Sequence, residues 1–374
     1  GAATGGAGDA ASVRGGRCPS GRPTAHRGGG AQRPRLALRL HDRLGRAPAG
    51  GVLPMTRRRG AMLITGGAGF IGTHLAERFC GGQTVVLFDN FRRDSLAFAP
   101  QLREHPNVRV VAGDVLDVDA IRRAMEGVDT VLHLAAIAGV SSYYEEPLRT
   151  LQVNILGTVN VLDEAVRAGV RRVIYFSTSE VFGPEALWVQ EESEHRLGPV
   201  SDKRWVYATS KLAGEHLVLR SAERYGFAAS VIRPFNIYGP RQMGEGAISN
   251  FCKAAVSGEP LTVYGDGSAQ RAWCYVSDLV DAVEGALCAP AAAGQSFNIG
   301  NPGGLETTLG LAQRISRLAS QATVRFQATQ RAEVRVRAPV IDRARAVFGF
   351  EPKVDLDEGL RRTLDWFRQR GNGQ

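Results

Sequence analysis

Tyr207 and Lys211 are the first pair of residues whose types and spacing suggest chemistry. They stand four positions apart in the stretch Tyr207-Ala208-Thr209-Ser210-Lys211, at the start of a predicted helix, and are therefore neighbours across one helical turn. A tyrosine is a poor base near neutral pH unless its phenolate is stabilised, and a lysine ammonium one turn away can do this. The same spacing also arises by chance in amphipathic helices, so the pair alone leaves a purely structural role open.

A second polar group directly follows a predicted strand. The strand Arg172–Ser177 runs into Thr178, Ser179 and Glu180, so hydroxyls and a carboxylate stand at the carboxyl end of a strand. Parallel α/β sheets bind their ligands at that edge, where such groups can act as acids, bases or hydrogen-bond partners. The alternative is a polar loop whose hydroxyls only satisfy the backbone of a turn.

A glycine-rich turn supplies a binding site that such groups could serve. Gly66, Gly69 and Gly72 stand at three-residue intervals between a short apolar strand and a helical pattern that begins near Phe70. In a dinucleotide site the first glycine permits a tight turn, the second lets the backbone approach a pyrophosphate, and the third lets the helix pack close to its strand. The N–H groups of the helix then point at the phosphates. Asp89 closes the next predicted strand, as this interpretation requires.

The rest of the chain predicts the frame that positions these groups. Predicted strands and helices alternate after the glycine turn, which indicates a parallel sheet covered by helices on both faces. We therefore expect an α/β fold with a Rossmann-type, doubly wound parallel sheet. Beyond about Pro240 the predicted elements become shorter and mixed, which favours a smaller C-terminal α/β lobe that binds substrate at the carboxyl ends of the strands. The expected domains are a nucleotide-binding Rossmann domain over residues 61–240 and a mainly substrate-binding lobe over residues 241–374.

The formal net charge of +9 is unevenly distributed along the chain. Residues 1–60 carry twelve Arg against two Asp, a net charge of +10, and the remainder is close to neutral at −1. A basic groove for nucleic acid is therefore not indicated. The first 60 residues are rich in Gly, Ala, Arg and Pro and show no sustained apolar period, a composition typical of disorder.

Three explanations of this basic segment compete. It lacks the apolar stretch of a secretory signal, and no segment of the sequence is long and apolar enough to predict a membrane span. It is Arg-rich and acid-poor like an organelle transit peptide, although its glycines disfavour an amphipathic helix. We favour an upstream extension that does not belong to the native protein, with Met55 or Met62 initiating. The five scattered Cys residues lack metal-binding spacing, so we expect no metal site and a cytoplasmic location.

Taken together, the three motifs resemble the extended short-chain dehydrogenase/reductase family, and within it the NAD-dependent nucleotide-sugar epimerases and dehydratases. The resemblance covers about residues 61–370. Beyond GGAGFIG, the STSE loop and YATSK, it rests on HLAA at His133–Ala136, VNILGT at Val153–Thr158, RPFNIYGP at Arg233–Pro240, GEPLTVYGDGSAQRAWCYVSDLV at Gly258–Val280 and FNIGNP at Phe297–Pro302.

The resemblance implies that NAD is the cofactor. It implies cofactor contacts for Gly66, Gly69, Phe70, Ile71, Gly72, Asp89, Asn90, Asp114, Val115, Ala135, Ala136, Tyr207 and Lys211. Asp89 would take the adenosine ribose hydroxyls and repel a 2′-phosphate, which favours NAD over NADP. Arg92 and Arg93 nearby temper that preference.

The resemblance also implies catalytic and substrate-binding roles, with a nucleotide sugar as the substrate. Tyr207 would remove a sugar hydroxyl proton, Lys211 would lower the pKa of Tyr207, and Thr178 would hydrogen-bond the reacting hydroxyl. Glu180 is the fourth candidate catalytic residue. Substrate contacts are expected at Ser179, Asn236, Arg271 and Arg337, where the guanidinium forks suit the oxygens of a diphosphate.

Glu180 separates the reactions that this family performs. A carboxylate beside the reacting carbon suits a second proton event, as in UDP-glucuronate decarboxylases or 4,6-dehydratases, and we favour these. A UDP-glucose or UDP-glucuronate 4-epimerase is the alternative, and a non-catalytic NAD(H)-binding sensor or scaffold is an alternative of a different class. Two predicted helices, 148–168 and 207–225, carry more apolar surface than one sheet face can cover, and the family pairs such helices across a two-fold axis. We therefore expect a homodimer.

Overall fold

The structure is a computed structural model that describes residues 60–328 and 334–371. The segment expected to be disordered, residues 1–60, lies outside the described residues except for Gly60. Among the helices of the described part, none is long and apolar enough to cross a membrane.

Fifteen strands occur in the described residues. In chain order they are β1 (Ala61–Thr65), β2 (Val85–Asp89), β3 (Val108–Ala112), β4 (Val128–His133), β5 (Arg172–Phe176), β6 (Glu185–Val189), β7 (Ala228–Pro234), β8 (Ile237–Tyr238), β9 (Leu261–Tyr264), β10 (Gln270–Ala272), β11 (Cys274–Tyr275), β12 (Gln295–Ile299), β13 (Leu305–Thr307), β14 (Val324–Gln327) and β15 (Val336–Pro339).

Twelve α-helices connect or cover these strands in the same part of the chain. They are α1 (Phe70–Phe79), α2 (Pro100–Glu104), α3 (Val118–Ala124), α4 (Val140–Glu145), α5 (Pro147–Leu151), α6 (Gly157–Arg167), α7 (Val206–Tyr225), α8 (Ala247–Val256), α9 (Val276–Cys288), α10 (Thr308–Leu318), α11 (Asp342–Phe348) and α12 (Leu356–Gly371).

Seven parallel strands form the main sheet, in the order β12-β7-β5-β4-β1-β2-β3. The chain builds outward from β1 to β3 and then returns to the other side of β1 with β4. This reversal places a topological switch point between β1 and β4, which is where doubly wound sheets bind ligands. The predicted α/β fold with a Rossmann-type sheet is confirmed.

The main sheet is buried on both faces, and for this reason its strands read as continuous apolar runs. Along β1, Met62 and Ile64 join one hydrophobic cluster while Leu63 joins the cluster on the opposite face. Helix α1 contributes Leu75 to the first cluster, and helix α7 contributes Val218 to the second. Side chains that alternate between two filled layers fix the register of the strand.

A smaller sheet of four strands has the order β13-β10-β15-β6. Strand β6 precedes residue 240 in sequence but lies in this smaller sheet, while β12 follows residue 240 and lies in the main sheet. The two sheets therefore exchange strands across the boundary expected between residues 240 and 241. The division into an NAD-binding and a substrate-binding domain stays a prediction.

The predicted helix over residues 148–168 differs from the observed structure. Helix α5 and helix α6 are joined there by one turn of π-helix at Gln152–Leu156. Inside it, Asn154 donates its amide Nδ2 to the carbonyl of Ile137 (3.1 Å) and to Ser210 Oγ (2.9 Å). The wider turn thus directs a buried amide at the loop after β4 and at α7, a tertiary contact that helical periodicity alone does not encode.

Candidate active site

The glycine-rich turn after β1 has the geometry that its glycines predict. Gly66 has a φ of +71°, and a Cβ placed on it would lie 2.9 Å from the backbone nitrogen of Ala135. A Cβ on Gly72 would lie 2.6 Å from the carbonyl oxygen of Gly66. Helix α1 begins at Phe70 with no side-chain cap and no acidic residue in its first turn. Its first N–H groups are therefore available to a phosphate.

Asp89 ties the end of β2 to this turn. One carboxylate oxygen accepts a hydrogen bond from the backbone of Ala68 (3.0 Å) and the other from that of Phe91 (2.7 Å). Burial raises the pKa of Asp89, and these two backbone hydrogen bonds act in the opposite direction. The carboxylate is thus held beside the glycine turn, and its contact with ribose hydroxyls stays a prediction.

A cleft with a volume of about 400 Å³ opens at the switch point, within the range of pockets that hold small ligands. Eleven of the predicted cofactor-binding residues line it: Gly66, Gly69, Phe70, Ile71, Gly72, Asp89, Asn90, Asp114, Val115, Ala135 and Ala136. The cleft is also lined by residues that the sequence did not single out, among them Arg149, Ser142, Gln242, Met243 and Glu245. Tyr207 and Lys211 are outside this lining.

Helix α7 presents Tyr207 at its first turn, next to the loop after β5. The side chain of Thr178 lies close enough to the Tyr207 phenol to act on its pKa, so the structure brings two predicted catalytic residues together. Burial and the charge of Glu180 raise the pKa of Tyr207, while Thr178 and Arg337 act in the opposite direction. Tyr207 therefore needs an additional positive charge nearby before it can act as a base.

Lys211 is buried one turn after Tyr207. Its Nζ lies 4.5 Å from the centre of the Tyr175 ring, a cation–π distance. Burial lowers the pKa of Lys211 to about 7, and Glu215 acts in the opposite direction. Because this pKa is close to neutral, a phenolate forming at Tyr207 would favour the charged ammonium, as the predicted role requires.

Glu215 joins the helix of the catalytic pair to the end of β5. Its carboxylate accepts hydrogen bonds from Arg233 Nε (2.9 Å) and Nη2 (2.6 Å) and from the hydroxyl of Ser177. All three side chains are buried. Since Ser177 directly precedes Thr178, this buried network fixes the loop of Thr178 against the helix that carries Tyr207.

Glu180 lies between two arginines. Its carboxylate pairs with Arg204 Nη1 at 2.5 Å and with Arg337 Nη1 at 3.1 Å. Burial alone would raise the pKa of Glu180, but Arg337 and Arg204 outweigh it and hold the pKa at about 2. Glu180 is therefore ionised at neutral pH, and its participation in a second proton event stays a prediction.

Two residues at this end of the site were missed from the sequence. Arg204 lies with its Cζ 5.2 Å from the centre of the Tyr143 ring, and that ring stacks on Tyr207 at 6.3 Å and 17°. The Tyr143 hydroxyl is buried without a hydrogen-bond partner among the described residues. Tyr143 is on α4, a short helix that carries no motif. The one available signal for Arg204 was its place three residues before Tyr207.

The predicted substrate-binding residues differ in burial and in their hydrogen-bond partners. Arg271 and Arg337 are neighbours in register on β10 and β15, and Arg337 keeps its Nε and Nη2 buried without hydrogen-bond partners in the described part of the chain. Asn236 donates its side-chain amide to the carbonyl of Ala272 (3.2 Å). Ser179 is buried next to Glu180. Binding of a diphosphate by any of them stays a prediction.

Comparison with known proteins agrees with this fold. The model of the NAD dependent epimerase/dehydratase family matches residues 62–300. The chain is 35% identical over 321 residues to UDP-N-acetyl-α-D-glucosaminuronate decarboxylase of Bacillus cytotoxicus, covering 83% of this chain and 98% of that protein. It is 34% identical over 360 residues to UDP-glucuronic acid decarboxylase 1 of Arabidopsis thaliana, covering 94% of this chain and 77% of that protein.

A similar solved structure is UDP-glucuronic acid 4-epimerase from Bacillus cereus, crystallised with UDP-glucuronic acid and NAD. Its TM-score is 0.77 at 26% identity, covering 83% of this chain and 99% of that chain. A glycine-rich turn at the switch point of a parallel sheet, with a tyrosine–lysine pair at the same edge, defines a dinucleotide-dependent α/β enzyme. More specifically, the chain belongs to the NAD-dependent epimerase/dehydratase family. It is an NAD-dependent enzyme, as the sequence predicts.

Proposed function

We propose that this enzyme decarboxylates a UDP-hexuronic acid such as UDP-glucuronate, after transient oxidation at C4 of the sugar. The observation that carries the proposal is the arrangement of Glu180 and Arg337 next to Tyr207. Two buried nitrogens of the Arg337 guanidinium have no partner among the described residues, although its third is paired with Glu180. Such a group needs an anionic ligand at the sugar end of the site.

The charges of the cluster support an acidic sugar. Arg204 and Arg337 face the single carboxylate of Glu180, so the pairs leave one positive charge without a counter-ion. Burying a charged group without compensation is costly, and a guanidinium fork suits a carboxylate in a bidentate arrangement. Both Glu180 and Arg337 act on the pKa of Tyr207, which supports a role for this charge near the reacting sugar rather than near the nucleotide base.

The residues then divide the chemistry among them. NAD, when bound, supplies the acceptor for the hydride from C4 and its later return. Tyr207 takes the proton of the C4 hydroxyl, and Thr178 and Lys211 hold the phenol and its charge in place. Arg337 orients the substrate carboxylate, which is attached to C5 and is therefore β to the new ketone at C4. The bond between C5 and the carboxylate carbon breaks, carbon dioxide leaves, and the electron pair of that bond forms an enolate whose charge lies on the C4 oxygen. Tyr207, now protonated, donates a hydrogen bond to that oxygen until a proton from solvent is added at C5, and it then returns its proton to the C4 oxygen.

The relatives support decarboxylation over dehydration. Two of them, at 35% and 34% identity, are named as decarboxylases of UDP-sugar acids. A dehydratase would use the same oxidation at C4 but would have no carboxylate to offer the open side of Arg337. The unsatisfied guanidinium therefore agrees better with the chemistry of these relatives.

A panel of nucleotide sugars tests the proposal. The full chain with NAD would be incubated with UDP-glucuronate, UDP-N-acetylglucosaminuronate, UDP-glucose, GDP-mannose and dTDP-glucose, and the products resolved by mass spectrometry. We expect loss of carbon dioxide from a UDP-sugar acid and no loss of water from the neutral sugars. A product of unchanged mass from every acid, or a dehydrated product from a neutral sugar, would reject decarboxylation.

A UDP-glucuronate 4-epimerase is the second candidate. The solved structure with a TM-score of 0.77 bears that name, and its substrate carries the same carboxylate that would satisfy Arg337. In the same panel, this activity would convert UDP-glucuronate into an isomer of equal mass, separable by chromatography. The two candidates thus differ in one observable, the mass of the product.

We also propose a homodimer and a cytoplasmic location. Leu148 and Leu156, on the run of helix that packs beside α7, are 67% and 44% exposed, and an isologous contact between two copies would cover them. A Leu156→Glu variant should elute as a monomer while the parent scatters light as a dimer; a monomeric parent at micromolar concentration would contradict the proposal.

The proposed cytoplasmic location rests on cysteine usage, and fractionation of cells producing the chain would test it.

A further inference from the structure

We propose that the guanidinium of Arg93 binds the pyrophosphate of NAD, as the cationic side chain that complements the glycine-rich turn. The inference rests on NAD as the cofactor, which the family establishes, and not on the reaction performed at the sugar. Arg93 lies in the loop after β2 and lines the cleft together with that turn.

Three arginines line the cleft, and two of them already have carboxylate partners. Arg92 Nη1 pairs with Glu146 at 2.9 Å, and Arg149 Nη2 pairs with Asp114 at 2.8 Å. The Arg93 side chain has neither an ion pair nor a hydrogen bond among the described residues, and only its backbone carbonyl accepts one, from the N–H of Ser95 (3.1 Å). Of the three arginines, Arg93 is therefore the one whose guanidinium nitrogens are all open to a ligand.

Two glycines hold the Arg93 guanidinium at the cleft. A Cβ on Gly139 would lie 2.7 Å from Arg93 Nη2, and a Cβ on Gly244 would lie 3.1 Å from its Cζ. Both glycines have positive φ, +110° and +87°. The guanidinium therefore packs against the backbone before α4 and the backbone before α8, in space that a larger residue at either glycine would occupy.

The charge of Arg93 acts on the interior of the site. It lowers the pKa of Tyr207 and contributes to lowering that of Glu245. Glu245 forms no ion pair with Arg93 in the described part of the chain, and its two carboxylate oxygens share the backbone N–H of Ser141 (3.1 Å each). The positive field of Arg93 thus reaches from the mouth of the cleft towards the catalytic tyrosine.

A pyrophosphate is the ligand that these features fit. The turn and the N-terminus of α1 offer N–H dipoles but no side-chain cation, while a pyrophosphate carries two negative charges. An arginine fork binds phosphate oxygens in a bidentate, charge-assisted arrangement. The competing assignment is a 2′-phosphate, and Asp89 at the end of β2 disfavours it because a carboxylate repels that group.

Binding of cofactor fragments tests the assignment without any sugar. Dissociation constants of the nucleotide-free full chain would be measured for NAD, ADP-ribose, adenosine and NADP, by calorimetry or by ligand-observed NMR for the weak ones. We expect Arg93→Ala to weaken NAD and ADP-ribose by about tenfold to a hundredfold, the usual worth of a hydrogen bond to a charged group. Adenosine, which lacks phosphate, should bind as in the parent, and Arg93→Lys should recover part of the loss.

Arg103→Ala is the matched control. Arg103 is on α2, outside the cleft, and pairs with Asp94, so this variant removes the same charge from the neighbouring segment. It should leave all four constants within twofold of the parent. Unchanged NAD affinity in Arg93→Ala, an equal loss for adenosine, or a loss confined to NADP would each overturn the proposal. None of these outcomes depends on which sugar reaction the enzyme performs.

Discussion

The two ends of the candidate active site are formed by different kinds of groups. The cofactor end is formed mainly by backbone: glycines that admit close approach, an uncapped helix terminus, and Asp89 held by two backbone N–H groups. The other end, which we propose binds the sugar and call the sugar end, is formed by charged and aromatic side chains, with Glu180 between Arg204 and Arg337. Ligand binding at the cofactor end therefore depends on how closely the backbone can approach, whereas binding at the sugar end depends on the balance of buried charges.

The largest expected effect lies where the two ends meet, at Tyr207. Tyr207→Phe keeps the ring that stacks on Tyr143 but removes the hydroxyl that we propose exchanges a proton with the sugar. Turnover should fall by about a hundred- to ten-thousand-fold, measured as product formed from UDP-glucuronate. NAD affinity should stay within a few-fold of the parent, because the glycine turn is untouched. Turnover within a few-fold of the parent would remove Tyr207 from the mechanism.

Glu180→Gln should break the sugar end and spare the cofactor end. The amide keeps the size of the side chain but leaves Arg204 and Arg337 without their counter-ion. Arg337 is then no longer held in the orientation in which it meets the substrate carboxylate. We expect decarboxylation to slow by about a hundredfold, while the first oxidation continues and NADH absorbance accumulates in a single turnover. A variant that forms product at the parent's rate without NADH accumulation would favour a plain 4-epimerase.

Glu180 should also make the free energy of unfolding depend on pH in the acid range. Its pKa in the fold is about 2, below the usual 4.5, so its ion pairs contribute fully above pH 4.5 and the contribution is lost as the pH falls towards 2. The difference corresponds to roughly 3 kcal/mol of unfolding free energy. Urea unfolding at about pH 5 and about pH 3 should show a smaller loss in Glu180→Gln than in the parent. Equal losses would show that the two arginines do not hold this carboxylate.

Gly72→Ala should do the reverse and damage the cofactor end. The added Cβ would lie 2.6 Å from the carbonyl of Gly66 and 2.8 Å from the Cα of Gly67, and backbone atoms cannot move aside like a flexible side chain. We expect a loss of about 1–3 kcal/mol in stability together with weaker NAD binding. Gly81→Ala is the control, because a Cβ there meets nothing within 4 Å. Equal melting temperatures for the two variants would contradict the close approach.

The same contrast explains what the sequence could predict. The cofactor end depends on residues close together in sequence, and the spacing of Gly66, Gly69 and Gly72 predicted the turn. Of the eleven predicted residues that line the cleft, the three glycines and Asp89 followed from the turn and the end of the next strand, and the others from the resemblance to the family. The structure also brings Tyr207, Thr178 and Glu180 together at one edge of the sheet, and their catalytic roles stay predictions.

The sugar end could be predicted only in part. Arg204 and Tyr143 act through contacts with residues 24 or more positions away, and neither carries a local pattern that marks it. Strand β6 pairs with β15 across a long stretch of chain, so the approach of Arg337 to Glu180 depends on a tertiary pairing. Short apolar runs do not specify such pairing by periodicity.

The exchange of strands between the two sheets has a consequence for how the chain folds. The main sheet is complete only when Gln295–Ile299 pairs with β7, and Glu185–Val189 finds its partner only when β15 has formed. A fragment ending near residue 240 would therefore leave an open sheet edge and an unpaired strand, both prone to aggregation. Because these pairings are distant in sequence, folding should be slow and pass through partly formed states. The glycine turn and α1 can form early, but a competent catalytic centre must await the last third of the chain.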